Sequence, residues 1–145
     1  MPVSSLMLPV FVQVLLTFIV LLTLARTRGQ SLQAGRTPLD KPEVGLGTFT
    51  WSDAARKASN NFSNQFEIPV LFYAAVAFAL ILKQSDQTLV VLAWVFAVSR
   101  ILHAVIHTGP NIVRWRFMAY LIGVASVLAF WCVLIVRVLN GTAVV

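Results

Sequence analysis

Cysteine and acidic residues are scarce in this chain, and their scarcity limits what can hold the fold together. A single cysteine, Cys132, cannot form an intrachain disulfide, and no Cys/His cluster has the spacing of zinc ligands. Asp and Glu number 5, and charged residues make up only 11% of the 145 residues, against about 25% in soluble domains. The fold therefore relies on neither crosslinks nor a structural metal, and a water-soluble domain is excluded.

Apolar residues dominate instead, at 59% of the chain, with a mean hydropathy of +0.85. A membrane-spanning helix needs about 20 mostly apolar residues, and four stretches approach or exceed that length. They cover approximately residues 7–26, 53–83, 87–108 and 114–138. We therefore predict an all-α integral membrane protein, in which residues 1–145 form a single bundle of four transmembrane helices.

The connections between these stretches predict their arrangement. Residues 27–52 are rich in glycine, proline and polar residues and predict one long loop. The segments 84–87 and 108–111 are short enough to be tight turns. Helices joined by short turns pack as antiparallel neighbours, so the second, third and fourth predicted helices should be adjacent in sequence order.

The distribution of lysine and arginine predicts the orientation. Only Lys83 and Arg137 lie on the side opposite the long loop. By the positive-inside rule the long loop faces the cytoplasm and both termini face outward. This also accounts for the net charge of +6 without nucleic acid, which is not expected as a partner. The nine residues on or toward the loop side are Arg26, Arg28, Arg36, Lys41, Arg56, Lys57, Arg100, Arg114 and Arg116.

The first stretch is interpreted as a retained helix rather than a signal peptide. No basic residue precedes it, its apolar part is long, and Arg26 and Arg28 follow it as a stop. Because no other targeting signal is evident, the sequence favours the inner membrane of a bacterium.

Polar residues within the apolar helices are the candidate functional groups, because a charge near the bilayer centre costs several kcal/mol unless it finds a partner or water. Residues three or four apart share one face of a helix. Three such groups converge on the cytoplasmic half of the predicted bundle. They are Arg56, Asn60, Asn64 and Glu67 on helix two, Arg100, His103 and His107 on helix three, and Arg114 and Arg116 at the start of helix four.

Depth along the helices predicts a specific contact among these groups. Glu67 and His103 should lie at about the same level, and Arg100 about one turn deeper. We therefore expect an ion pair between Glu67 and Arg100, which would keep both groups charged. An alternative is that the polar residues serve only as hydrogen-bonding contacts between helices.

The charges alone favour a ligand class rather than a reaction. A pocket with Arg100, Arg116 and Arg56 would suit an anionic ligand, since guanidinium groups bind carboxylates through a planar fork of donors. Grooves between the helices would admit a lipophilic molecule from the bilayer. A proton pathway through Glu67, His103 and His107 stays open, whereas a transporter is not favoured, because the chain shows no inverted repeat.

Two segments carry a resemblance to a known family. Residues 56–69, with the core Asn64, Glu67 and Pro69, resemble the helix-two signature of the MAPEG family, the membrane-associated proteins in eicosanoid and glutathione metabolism. Arg100 and His103, followed by Arg114 and Arg116, are similar to the family's helix-three motif and basic helix-four opening. The four helices and single long loop match as well.

The resemblance implies a homotrimer of four-helix bundles that binds glutathione as cosubstrate on the cytoplasmic side, with lipophilic substrates entering from the membrane. It implies that Asn64 and Glu67 contact the glutathione backbone and that Arg100 and His103 support the pocket. Arg116 would stabilise the thiolate, since a fixed cation favours the anion of a thiol whose ordinary pKa is about 8.5.

Three positions depart from the family's enzymes: Ser63 replaces an arginine, His107 replaces a frequent tyrosine, and Phe117 follows Arg116. The leading hypothesis is a glutathione transferase or peroxidase that acts on lipophilic electrophiles or hydroperoxides. The alternative is a non-enzymatic trimeric membrane protein whose polar pocket binds a lipid head group or only fixes the packing of the helices. The candidate site comprises Arg116 as the catalytic residue and Arg56, Asn60, Asn64, Glu67, Arg100, His103 and His107 as binding residues.

Overall fold

A computed structural model describes residues 2–34 and 51–141, and this part of the chain is entirely helical apart from its connections. Four segments are long and apolar enough to cross a membrane, the second of them comprising two successive helices. The prediction of an all-α membrane bundle is confirmed. The helices are α1 (Val3–Gln33), α2 (Asp53–Ser63), α3 (Ile68–Ile81), α4 (Gln87–Thr108) and α5 (Val113–Leu139).

The first helix continues further than the sequence predicts. Residues 27–33, assigned above to the long loop, are the last two turns of α1, so that part of the prediction is wrong. The single Gly29 costs only about 1 kcal/mol in a helix, and no proline lies between Pro9 and Pro38. Residues 35–50 of the predicted loop lie outside the described residues. We call the end of the bundle where α1 ends and α2 begins the loop end, and the opposite end the turn end.

The second predicted helix is also not continuous, because it breaks between α2 and α3. Pro69 is the second residue of α3. In an unbroken helix its ring would clash with the Gln65 carbonyl, and it has no N–H to donate. The chain instead forms tighter bonds, from Gln65 N to Phe62 O and from Phe66 N to Ser63 O, each 3.0 Å. The break leaves carbonyl groups at the end of α2 without their helical donors.

The main hydrophobic core lies toward the turn end of the bundle. Leu6 of α1, Phe72 of α3, Phe96 of α4 and Phe130 of α5 meet there and are fully buried. The Phe72 and Phe96 rings stack with centroids 4.3 Å apart. Apolar side chains on the outer faces, such as Leu22, remain exposed, as expected of a surface in contact with lipid.

Three buried amide side chains connect α1, the end of α2 and α4. Gln13 Nε2 donates to Gln65 Oε1 at 2.9 Å, and Gln65 Nε2 donates to Asn61 Oδ1 and to Asn61 O at 3.2 and 3.1 Å. Asn61 Nδ2 then donates to Ala104 O of α4 at 3.4 Å. We call Gln13, Gln65 and Asn61 the amide chain. It fixes α2 against its two neighbours at a depth where water cannot substitute for a lost bond.

The α4 and α5 helices form the most extensive helix pair, and Gly123 of α5 lies close against α4. A Cβ at this position would be 2.7 Å from Ser99 Oγ, and Ser99 Oγ is itself engaged with Phe96 O. Small residues allow close backbone approach between membrane helices. Gly123 therefore sets the separation between α5 and the part of α4 that carries Arg100.

The carboxylate of Asp86 links two helices at the turn end. Asp86 Oδ1 accepts a hydrogen bond from Leu89 N at 3.0 Å, and its other oxygen pairs with the Arg137 guanidinium near the end of α5. Burial by itself raises the pKa of Asp86, but the Leu89 N–H and Arg137 outweigh it and hold that pKa below the ordinary 3.8. The carboxylate thus joins the start of α4 to the end of α5.

We expect Gly123→Ala to lower the free energy of unfolding by about 1–3 kcal/mol, because the added methyl group forces α4 and α5 apart. The matched control is Gly29→Ala, where a Cβ meets nothing within 4 Å and helix propensity predicts unchanged or slightly higher stability. Thermal unfolding of the detergent-purified variants measures both. Equal stability of the two variants would contradict the close approach at Gly123.

Acidification tests the role of Asp86. Because the folded-state pKa lies below the ordinary value, the carboxylate stabilises the fold above about pH 4 and loses this contribution as the pH falls through its folded-state pKa. Asp86→Asn keeps a capping oxygen but removes the charge. Near neutral pH, wild type should therefore be more stable than Asp86→Asn by less than about 1 kcal/mol, which appears as a slightly higher melting temperature. The two melting temperatures should converge in acid. A gap that widens in acid would contradict this assignment.

Candidate functional site

The candidate site is a cavity of about 470 Å³ at the loop end, between the end of α2, α4 and the start of α5. Its size falls within the usual range of small-molecule pockets, about 300–1,000 Å³. The cavity brings together six of the eight residues predicted from the sequence. Its lining residues are Asn60, Ser63, Asn64, Glu67, His103, His107, Val113, Arg116, Phe117 and Tyr120.

Arg100, one of the other two predicted residues, lies behind the cavity wall. Its side chain is only 1% exposed, and Nη2 donates to Asn64 O at 2.7 Å. That carbonyl is one of those left open by the helix break before Pro69, at the partially negative end of α2. Arg100 is therefore positioned to hold the end of α2 against α4 rather than to contact a ligand.

The expected ion pair between Glu67 and Arg100 is wrong. Glu67 follows the end of α2, is exposed and lines the cavity, and it forms no ion pair within the described ranges. The depth estimate assumed an unbroken helix through Glu67, whereas the break moves its side chain off the α2 stripe. The Glu67 carboxylate is consequently available to a ligand.

His103 is held by hydrogen bonds at both ring nitrogens. Nδ1 lies 3.1 Å from Arg116 O, and Nε2 lies 3.3 Å from Asn64 Nδ2. A carbonyl can only accept and the amide nitrogen can only donate, so these contacts require the neutral tautomer with hydrogen on Nδ1. His103 thus connects the end of α2 to the start of α5.

His107 lies one turn further along α4 and has a different environment. It is buried, with 4% of the residue exposed, and it lines the cavity. Its ring centroid is 5.6 Å from that of His103. His107 Nδ1 has no hydrogen-bond partner in the described part of the chain, so contacts within the protein do not satisfy this imidazole.

Arg116 enters the cavity from the first turns of α5. Its Nη1 donates to Asn111 Oδ1 at 2.7 Å, which orients the guanidinium. Asn111 has a φ of 52°, a left-handed conformation that asparagine tolerates better than most residues. The turn before α5 thus supplies the group that positions the arginine.

Arg56 does not line this cavity. It is exposed and pairs with Asp53 at 2.6 Å, beside a second pocket of about 590 Å³ that also includes Trp51 and Lys57. Asn60 borders both pockets. The residues predicted as one site therefore border two adjacent pockets.

Sequence reasoning missed several residues that shape the site. Tyr120, which lines the cavity, follows Arg116 by four residues, so helical spacing could have placed it on the same face. Asn111 required knowledge of the turn conformation. The amide chain gave a partial signal, because Asn61 and Gln65 are also four residues apart, but its partner Gln13 is distant in sequence.

The site combines one carboxylate, one guanidinium, neutral amides and an unsatisfied imidazole beside exposed apolar residues. Such groups can bind a small zwitterionic or anionic molecule and stabilise a negative charge near Arg116. No group of three or more histidine, cysteine, aspartate or glutamate residues that could hold a metal ion occurs among the residues that the structure describes.

Comparison with known proteins assigns the family. The model of the MAPEG family matches residues 6–136, which is nearly the whole chain. Neither a curated protein nor a solved structure matches it significantly. The match includes most or all of each of the four membrane-spanning segments and every residue that lines the cavity. The chain therefore belongs to the MAPEG family.

Proposed function

We propose that this protein binds glutathione or a closely related thiol in the cavity at the loop end. It would use the thiolate to conjugate lipophilic electrophiles or to reduce hydroperoxides. Family membership supports a membrane protein of glutathione or eicosanoid metabolism, and the activity is our proposal from the residues of the site.

The observation that carries the proposal is the placement of complementary charges around one cavity. Glu67 offers a free carboxylate and Arg116 an oriented guanidinium, and the Asn60 and Asn64 amides line the same cavity. Glutathione carries an ammonium group, two carboxylates and two amides, which these groups match. In this arrangement Glu67 would bind the ammonium group, and Arg116 would stabilise the thiolate.

The apolar part of the wall suits a second, lipophilic substrate. Val113 and Phe117 line the cavity and are also exposed on the outer surface of α5. A molecule dissolved in the bilayer could therefore approach the sulfur without crossing water. Excluding water would also strengthen the interaction of Arg116 with a thiolate.

We further propose that the loop end faces the cytoplasm of a bacterial inner membrane and that the functional unit is a homotrimer. The excess of lysine and arginine at the loop end supports the orientation. The trimer follows from the family resemblance. This orientation gives the cavity direct access to the cytosolic thiol pool.

One observation favours the non-enzymatic alternative of a lipid head-group site. Of the described residues that line the cavity, Arg116 alone carries a lysine or arginine charge, since Ser63 occupies the position of another family arginine. The neighbouring pocket, with Lys57 and Trp51, has residue types common at the membrane interface. Binding of glycerophosphate rather than glutathione would support this alternative.

One prediction of the proposed function concerns Arg116. Glutathione should raise the melting temperature of the purified protein, because a ligand that binds only the folded state stabilises it by about 1.4 kcal/mol at ten times Kd. Arg116→Gln should lower kcat/KM for chlorodinitrobenzene or cumene hydroperoxide about a hundredfold, by analogy with the loss of one transition-state donor.

The matched control is Arg114→Gln, which removes an equal charge from the same helix turn at an exposed position that does not line the cavity. It should retain both the glutathione shift and the turnover. If millimolar glutathione produces no shift in wild type, the thiol-binding proposal is wrong. If Arg114→Gln and Arg116→Gln lose turnover equally, Arg116 has no special role.

A second prediction concerns the turn that orients Arg116. Asn111→Gly tolerates the left-handed backbone but removes the oxygen that accepts from Arg116. An ordinary net hydrogen-bond contribution of about 0.5–1.5 kcal/mol, lost through poorer positioning of Arg116, corresponds to about two- to tenfold weaker glutathione binding. Calorimetric titration of wild type and variant measures the change. An unchanged Kd would show that the Asn111 contact does not position the guanidinium for binding.

A further inference from the structure

The geometry points to His107 as the group that takes the proton from the bound thiol. This inference rests on the proposed binding of a thiol in the cavity. It adds a catalytic residue at the position where this chain departs from the family's frequent tyrosine.

The first support is that contacts within the protein leave the His107 ring unsatisfied. The ring is buried and lines the cavity, and Nδ1 has no partner within the described residues. A buried polar nitrogen without a partner is costly. Because Nδ1 is itself closed off, Nε2 is the ring nitrogen that a ligand in the cavity can reach.

The second support is that the other candidate bases are less suitable. His103 already donates from Nδ1 to Arg116 O, and it accepts at Nε2 from Asn64. Protonation of His103 would make both nitrogens donors and break the Asn64 contact. Glu67 is exposed and is the group assigned above to the ammonium of glutathione. Of the two imidazoles among the described residues that line the cavity, His107 is the one not held by hydrogen bonds at both ring nitrogens.

The third consideration is the charge around the ring. Arg116 lines the same cavity, and its positive charge, with those of Lys57 and Arg100, opposes protonation of His107 until a thiolate lies beside them. A thiolate between these two side chains would face a guanidinium on one side and a newly formed imidazolium on the other. The titratable and charged groups near His107 are Lys57 of α2, Arg100 and His103 of α4, Arg116 of α5, and Glu67, which lines the same cavity.

The proposed step is a balanced proton transfer. The S–H bond of the thiol breaks, its electron pair stays on sulfur beside Arg116, and the proton moves to a ring nitrogen of His107. When the thiolate attacks a hydroperoxide, the O–O bond breaks to give a sulfenic acid and an alkoxide. The alkoxide takes the proton back, so His107 acts first as base and then as acid.

Calorimetry combined with ultraviolet detection of the thiolate tests this step. Glutathione and S-methylglutathione, which has no thiol proton, are titrated into the full-length protein in buffers of different ionisation enthalpy. In wild type we expect the thiolate absorbance to appear with no additional proton released for glutathione. A thiolate that forms with one proton released to the buffer in wild type would overturn the inference without any variant.

Two substitutions then identify the acceptor. His107→Gln and His107→Tyr should still bind S-methylglutathione, while the thiolate either disappears or forms with release of a proton to the buffer. The rate of reaction with chlorodinitrobenzene should fall about a hundredfold at neutral pH. Wild-type thiolate and proton balance in both variants would overturn the inference, and so would a wild type that binds glutathione without forming a thiolate. If neither glutathione nor S-methylglutathione binds wild type, the proposed function itself fails.

Discussion

The hydrogen bond from the Arg100 guanidinium to the Asn64 carbonyl is the contact on which the loop end depends. Pro69 prevents the second membrane segment from being one helix, and the interruption leaves open carbonyls inside the bundle. Arg100 supplies a charged donor to one of them at 2.7 Å. A buried cation and an interrupted helix, each costly alone, thus stabilise each other.

The cavity follows from this contact. Because α2 ends at Ser63, Glu67 leaves the helix and opens toward the cavity instead of packing against α4. Asn64, whose carbonyl is held by Arg100, directs its side-chain amide to His103, and His103 reaches the backbone of Arg116. Three segments are therefore joined by neutral hydrogen bonds, which leaves the Glu67 and Arg116 side chains for a ligand.

The sequence predicts the outline of this arrangement and fails where one local interruption changes the register. Four apolar stretches and their short turns were sufficient for the bundle, because hydrophobic length and turn residues are local signals. Helical spacing also placed Asn64, His103 and Arg116 together. It took no account of the interruption that Pro69 imposes between α2 and α3, and so it paired Glu67 with Arg100. Gln13 was not predicted because its hydrogen-bond partner, Gln65, is 52 positions away in the sequence.

The amide chain of Gln13, Gln65 and Asn61 limits how far the helices can slide past one another in a bilayer. A shift of one helix past its neighbour by a single residue is about 1.5 Å, enough to break the 2.9 Å bond between Gln13 and Gln65. Lipids that are too short or too long for a protein can be accommodated by sliding or by tilting its helices. The amide chain opposes such sliding, so the bundle should adjust to a change in membrane thickness by tilting as one body. The loop-end cavity would then keep its shape in lipids of different chain length.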